Sequence, residues 1–329
     1  MVAGASGFIG KVLVSHLISK GHLVLGVDVL PSDFKASSYR HIMGDLTSPE
    51  FVRSLRVDLT LSGIFHLASE IDFAVRSQSQ LYERNMQMTN SMIQIAKRLS
   101  CPHIVFVSSN SIFLGLEDAS SIPFNKQPAP IDAYGRSKVA SEDLLLEQDE
   151  FQTTIFRCPN VLGVGRAGML SIFFDFVLEG RYCWLLGDGS NRYQCIYVDD
   201  LVSALLSGMI LSRSGVFNVG ASRFETVRDM YQSVIDFAQT GAEIREVPAR
   251  LGVSALQILN KFGVSPLGPY QFRMLTSDFS FDISHASSTL GWKPHVSNNE
   301  MLLKAFESYR FDHASMGNSA NSRRINPFL

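Results

Sequence analysis

A phenol and an ammonium four residues apart, in Tyr134-Gly-Arg-Ser-Lys138, are the side chains of this sequence best spaced to move a proton. At i and i+4 they leave the same face of a helix. A free phenol ionises near pH ~10 and is a poor base at neutral pH. A neighbouring ammonium stabilises the phenolate and brings it toward working range. A second feature stands at the amino end, where Gly4-Ala-Ser-Gly7-Phe-Ile-Gly10 separates a short apolar stretch from a helical pattern. Glycines let backbone approach a pyrophosphate, and the amides opening the helix face its negative charge. Asp28 follows eighteen residues after Gly10, closing an apolar run. A carboxylate there accepts hydrogen bonds from an adenosine ribose and repels a 2′-phosphate, which predicts NAD over NADP. A bound nicotinamide cation would be a second positive charge favouring the phenolate of Tyr134.

The elements that must position these groups follow from periodicity. Met1-Val-Ala3 is a stunted first strand, or the remnant of one that begins upstream. A helix runs to about Lys20 with Ile9, Val12, Leu13 and Leu17 at helical spacing, and Gly21 ends it. Residues 22–27 form a buried strand and complete a β-α-β unit. Further strands are predicted at about 40–43, 63–67, 103–107, 153–156 and 216–219, with helices at about 79–99, 134–146, 170–178, from 199, and 299–309. Strands alternating with helices mean a parallel sheet covered on both faces. The fold class is therefore α/β, a Rossmann-type doubly wound parallel sheet with a smaller C-terminal α/β substrate lobe. Residues 1–158 are expected to be the NAD-binding domain, with 193–220 returning to its sheet. Residues 159–312 mainly form the lobe, and 313–329 a flexible tail.

Composition excludes several classes. A net charge of −2 over 329 residues gives no electrostatic case for nucleic acid or an anionic membrane. Cys101, Cys158, Cys183 and Cys195 show neither CxxC pairing nor metal-ligand spacing, so free thiols, a cytoplasmic setting and no metal are expected. No basic leader precedes the glycine turn, and apolar runs fall short of the roughly 20 residues a spanning helix needs.

The glycine turn together with Gly44-Asp45-Leu46, His66-Leu67-Ala68, Asn85, Ser108-Ser109, Tyr134-x-x-x-Lys138, Cys158-Pro159-Asn160 and Gly187-Asp-Gly-Ser…Tyr197-Val-Asp-Asp200 resembles the extended short-chain dehydrogenase/reductase family. That branch includes NAD-dependent nucleotide-sugar epimerases and dehydratases and 3β-hydroxysteroid dehydrogenase-like enzymes. The resemblance spans about residues 1–310. It implies that Gly4, Gly7, Phe8, Ile9, Gly10 and Asp28 hold the dinucleotide. Asp45 and Leu46 would lie beside the adenine, Leu67 and Ala68 along the pyrophosphate and ribose, Asn85 near the centre of the cofactor, and Ser108 and Pro159 near the nicotinamide end. Tyr134 is the implied base, with Lys138 also reaching the nicotinamide ribose.

A strand-end hydroxyl is the implied third member. The strand end and Phe113 select Ser109; counting back from Gly115, as in the sugar epimerases, selects Asn110, with Ser111 a further candidate. The positions after the hydroxyl, where dehydratases and decarboxylases of the family carry acids, are Asn110, Ser111 and Ile112, which disfavours loss of water or CO₂. Asn160 and Arg192 are implied to approach a substrate phosphate or nucleotide. Two departures from the sugar epimerases are Cys158, where they carry arginine, and Leu114, where they carry tyrosine. Phe262, Tyr270 and Phe272 suit a more apolar pocket. The helices near 79–99 and 134–146 form a dimer interface in the family, which implies a homodimer.

The function expected is oxidation and reduction at a secondary alcohol carbon, as a nucleotide-sugar 4-epimerase. The alternative is a 3β-hydroxysteroid dehydrogenase-like or sugar-ketone reductase with net redox turnover. A third reading is a dinucleotide-binding sensor without catalysis.

Overall fold

Apolar, β-branched runs supply seven parallel strands: β1 (Val2–Ala3), β2 (Val24–Asp28), β3 (Tyr39–Met43), β4 (Ile64–His66), β5 (His103–Ser109), β6 (Gln152–Cys158) and, much later in the chain, Gly215–Asn218. The last is β10, because three short strands of the lobe intervene. The computed structural model describes residues 1–71, 77–166, 168, 170–248 and 276–317, so Phe262, Tyr270 and Phe272 lie outside the described residues. The sheet order is β10-β6-β5-β4-β1-β2-β3. The chain winds outward from β1 to β3, then crosses back to β4 on the other side of β1. Strand order reverses between β1 and β4, and there an open parallel sheet leaves its crevice at the carboxyl ends of the strands. Gly4, Asp28, Leu67 and Ser109 stand at or just past those ends. Short as it is, β1 pairs with β2 on one side and β4 on the other.

Alternation along the strands builds two cores. Val2, Phe65, Val105, Val107 and Phe156 face α1 (Phe8–Ser19) and α6 (Val198–Leu211). Ala3, Ile64, Ile104, Phe106 and Ile155 face α2 (Pro49–Ser54), α3 (Gln78–Arg98) and α4 (Ala133–Leu146). A third core belongs to the lobe. There Phe173 and Phe174 of α5 (Leu170–Leu178) meet Met230 and Val234 of α7 (Val227–Ala238) and Phe306 of the C-terminal helix.

Two pairs of short strands complete the lobe. β7 (Asn160–Leu162) pairs with β9 (Cys195–Tyr197), and β8 (Tyr182–Leu186) with β11 (Glu243–Val247), both parallel. The helix expected at 299–309 is longer: after α8 (Ser284–Leu290), α9 spans Asn298–Gly317. Asp200, within the Tyr197-Val-Asp-Asp motif, accepts from the backbone amides of His295 and Val296 at 3.0 Å each, tying this carboxyl-terminal segment to the sheet domain. No helix among the described residues is long and apolar enough to cross a membrane.

Candidate active site

The helix α4 is started where its chemistry needs it. Asp132 caps it, its Oδ1 accepting from Gly135 N at 2.6 Å. A side chain at Gly135 would put Cβ 2.7 Å from the Ser111 carbonyl, so only glycine lets this first turn lie against the short 3-10 turn Asn110–Phe113 that leaves β5. Tyr134 is half-buried on that turn, one helical turn before Lys138. Lys138 is only 5% exposed and donates from Nζ to the Val107 carbonyl at 3.0 Å. Its ammonium lies 4.7 Å from the Phe106 ring centroid and 5.5 Å from that of Tyr134. Burial pushes the Lys138 pKa down to about 8, while the Cys158 thiol and Glu142 carboxylate pull the other way.

The end of β5 sorts its three serines and one asparagine. Ser108 is buried and donates to Glu142, whose carboxylate also takes a bidentate Arg157 at 2.6 and 3.0 Å. Ser109 is half-buried; its Oγ accepts from Ser111 N at 3.1 Å and donates to Asn110 Oδ1 at 3.3 Å. Asn110 is buried and donates from Nδ2 to the Tyr193 hydroxyl at 2.7 Å. Ser111 is 1% exposed, and its Oγ finds no hydrogen-bond partner among the described residues. Of the three candidates for the hydroxyl, Ser109 is thus the one that retains access to the crevice.

At the amino end, Gly4 has φ +84°, and a Cβ there would stand 2.7 Å from Ala68 N. A Cβ on Gly10 would meet the Gly4 carbonyl at 2.0 Å. These two glycines seat the turn against β4 and α1 respectively. Gly7 precedes α1 without a side-chain cap, leaving the first-turn amides at Phe8 and Ile9 the usual orphans of a helix start. Asp28 accepts from Ser6 N at 2.9 Å and Leu30 N at 3.0 Å, one bond per oxygen, and a carboxylate has lone pairs to spare for a ribose. A bare backbone cradle, an uncapped helix start and an acid at the next strand end fit a dinucleotide.

Around that cradle, Leu46 is buried and its carbonyl accepts from Ser91 Oγ at 2.6 Å. Burial raises the Asp45 pKa, but Thr47 and Arg84 outweigh it and hold the carboxyl below its usual range. Asn85, 5% exposed, spends its amide on protein: Oδ1 accepts from Glu70 N at 2.8 Å, and Nδ2 donates to Glu70 O at 3.0 Å and to Ser137 Oγ at 3.3 Å.

Two paths join the halves of the site. Gly4 abuts Ala68, and the chain after it is clamped by Asn85 to Ser137, the neighbour of Lys138. On the other side, the Arg166 guanidinium lies 5.2 Å from the Phe8 ring and close enough to Tyr134 for their charges to interact. The phenol–ammonium pair is anchored near the carboxyl end of β5, the side of the sheet from which the first β-α crossover also leaves.

A sequence model described as the NAD dependent epimerase/dehydratase family matches residues 1–220. The chain belongs to that family. It is 26% identical to a UDP-glucose 4-epimerase of Mycolicibacterium smegmatis, over 94% of this chain and 98% of the relative. It is 25% identical to a 3 beta-hydroxysteroid dehydrogenase/Delta 5-->4-isomerase of Mycobacterium tuberculosis, over 98% and 94%. Among solved structures, the UDP-glucose 4-epimerase of Thermotoga maritima with UDP-glucose superposes with a TM-score of 0.75 at 25% identity, covering 95% of this chain and 98% of that one. This member of the epimerase/dehydratase family is an NAD-dependent enzyme of the extended short-chain dehydrogenase/reductase type.

On the substrate side of this epimerase/dehydratase-family enzyme the structure separates the two sequence candidates. Pro159 is buried and Asn160 half-buried at the start of β7, directly after the strand that carries Arg157. Arg192 is exposed; its guanidinium donates to the Phe224 carbonyl at 3.1 Å and packs 5.6 Å from the Phe224 ring. Sequence reasoning passed over Glu142, Arg157, Arg166 and Tyr193. Glu142 could have been found from its i+4 spacing to Lys138, but the other three meet the site only through long-range packing. His66, fully enclosed beside Phe106, is lowered to about 3 by burial and by the Lys138 cation, so its ring is neutral.

Proposed function

We propose that this enzyme interconverts nucleotide sugars as a 4-epimerase. Tyr134 takes the proton of a secondary hydroxyl, and Ser109 hydrogen-bonds the same oxygen. Lys138, pinned between the Val107 carbonyl and two aromatic rings, keeps its positive charge beside the phenol. When bound, NAD supplies the acceptor for the carbinol hydride; the glycine turn, Asp28, Asp45, Leu46, Leu67, Ala68, Asn85, Ser108 and Pro159 are the residues proposed to hold it. On the substrate side Asn160 is the first contact proposed, and Arg192 would have to leave the Phe224 carbonyl to reach a phosphate. The observation carrying this reading is that the helix bearing Tyr134 and Lys138 is anchored near the carboxyl end of β5, where Ser109 stands, on the side of the parallel sheet from which the dinucleotide turn leaves. The neutral segment Asn110-Ser111-Ile112, with no acid to expel water, supports epimerisation over dehydration.

The engagement of Arg192 with Phe224 favours a second reading, a 3β-hydroxysteroid dehydrogenase-like oxidation with release of the ketone. Purified enzyme separates the two. Retained NAD and interconversion of UDP-glucose and UDP-galactose without net NADH support the epimerase. Steady NADH production from a 3β-hydroxysteroid, with no turnover of either sugar, would replace it. In both cases Tyr134→Phe should slow the reaction by about 10²–10⁴. A homodimer through α3 and α4 is also proposed, to be checked by sedimentation, and the four buried unpaired cysteines suit a cytoplasmic setting.

A further inference from the structure

We infer that Tyr193 of the lobe is a positioning residue for Ser109, acting through the amide of Asn110. This rests on the assignment of Ser109 to the reacting oxygen made above. Tyr193 is itself held rigidly: 5% exposed, its ring 5.6 Å from that of Phe279, its carbonyl accepting from Asn298 Nδ2 at 2.6 Å. Its hydroxyl crosses to the sheet domain and accepts from Asn110 Nδ2 at 2.7 Å, and Asn110 Oδ1 in turn takes the Ser109 proton at 3.3 Å. A serine hydroxyl has one proton and two lone pairs. With one lone pair on Ser111 N and its proton toward Asn110, the Ser109 hydroxyl is held in one orientation before substrate binds. To hydrogen-bond the oxygen that gives its proton to Tyr134, it turns that proton from Asn110 to the substrate, and the lobe's placement decides where the hydroxyl stands. The amide at position 110 spans the two ends, with a donor on Nδ2 for the lobe and an acceptor on Oδ1 for the serine.

A buried tyrosine commonly finds a partner for purely structural reasons, so the test must distinguish positioning from packing. The readout is the rate at which bound NAD is reduced by UDP-glucose or UDP-galactose in single turnover, in a cycle of Tyr193→Phe, Ser109→Ala and the double variant. Tyr193→Phe should lower that rate about tenfold, the scale of a modest misplacement, with NAD retention and KM within about twofold of the parent. In the Ser109→Ala background the same change should cost less than about twofold, because the group it positions is gone. A second tenfold loss in that background would show a structural role and overturn the inference. If Ser109→Ala alone leaves the rate intact while the parent enzyme turns over, the assignment of Ser109 fails and the inference with it. If neither sugar reduces the cofactor in the unmodified holoenzyme, the epimerase reading fails, and this inference falls with it. Should Tyr193→Phe not retain NAD, Asn110→Leu replaces it in the same cycle. In the cofactor-free protein, the Asn110 side-chain amide protons should exchange slowly by NMR and lose that protection in Tyr193→Phe; unchanged protection overturns the link.

Discussion

At the scale of single residues, Lys138 carries two obligations that conflict. Its charge must sit beside the phenol, yet burial lowers its pKa from 10.5 to about 8. That shift corresponds to roughly 3 kcal/mol of disfavoured charge, before the lost Val107 contact is counted. Lys138→Met should therefore raise the unfolding free energy from urea titration at pH 7 by about 1–2 kcal/mol once that unpaired carbonyl is allowed for, while lowering turnover about 10²–10⁴-fold. A variant that is both inactive and less stable would mean that the ammonium is a net structural asset. The reverse holds for Glu142, which is 3% exposed and binds Arg157 and Ser108 together. Glu142→Leu strands a buried guanidinium and should cost about 3–5 kcal/mol in equilibrium unfolding. A loss under about 1 kcal/mol would show that Arg157 finds water instead.

At the scale of elements, α4 works because its first turn can lie against the turn leaving β5. Gly135→Ala places a methyl 2.7 Å from the Ser111 carbonyl, where backbone rather than a flexible side chain must give way. The helix start would shift and carry Tyr134 with it, so kcat should fall about 10²-fold while the retained NAD, held from β1, β2 and β4, is unchanged. Equal loss of both would place Gly135 in general folding. This element also marks how far the sequence could be followed. The spacing of Tyr134 and Lys138 is local and puts them on one helical face; Asp28 and the glycine turn lie within one β-α-β unit. The sheet's alternation was legible for the same reason, since each strand declares itself over a handful of residues. What could not be seen depends on distant chain meeting by packing: Tyr193 reaches Asn110 across 83 positions, β7 is only three residues long, and β11, Glu243-Ile-Arg-Glu-Val247, is charged at three of its five positions. Arg192 illustrates the converse, a residue type suited to phosphate whose neighbour, Phe224, engages it.

At the scale of the whole molecule, the buried bases and thiols set how stability follows pH. His66 is held at about 3 against 6.5, and Lys138 at about 8 against 10.5. In each case the folded form gives up its proton first. Across pH 3–6.5 and 8–10.5 the unfolded chain binds more protons, so stability climbs as pH rises. The thiols act in the opposite sense: burial pushes Cys158 and Cys195 up to about 12 and Cys183 to about 11 from 9.0. Above pH ~9 the unfolded chain loses protons that the folded one keeps, and stability falls. With Cys101, which burial also pushes up, four thiols then oppose one lysine, so the urea midpoint measured from pH 5 to 10 should peak between about pH 8 and 9. Lys138→Met removes the climb above pH 8 and should move the peak down, and His66→Phe should flatten the acid limb below pH 6.5. A maximum below pH 7 in the parent protein would mean that groups other than these buried bases and thiols set the curve.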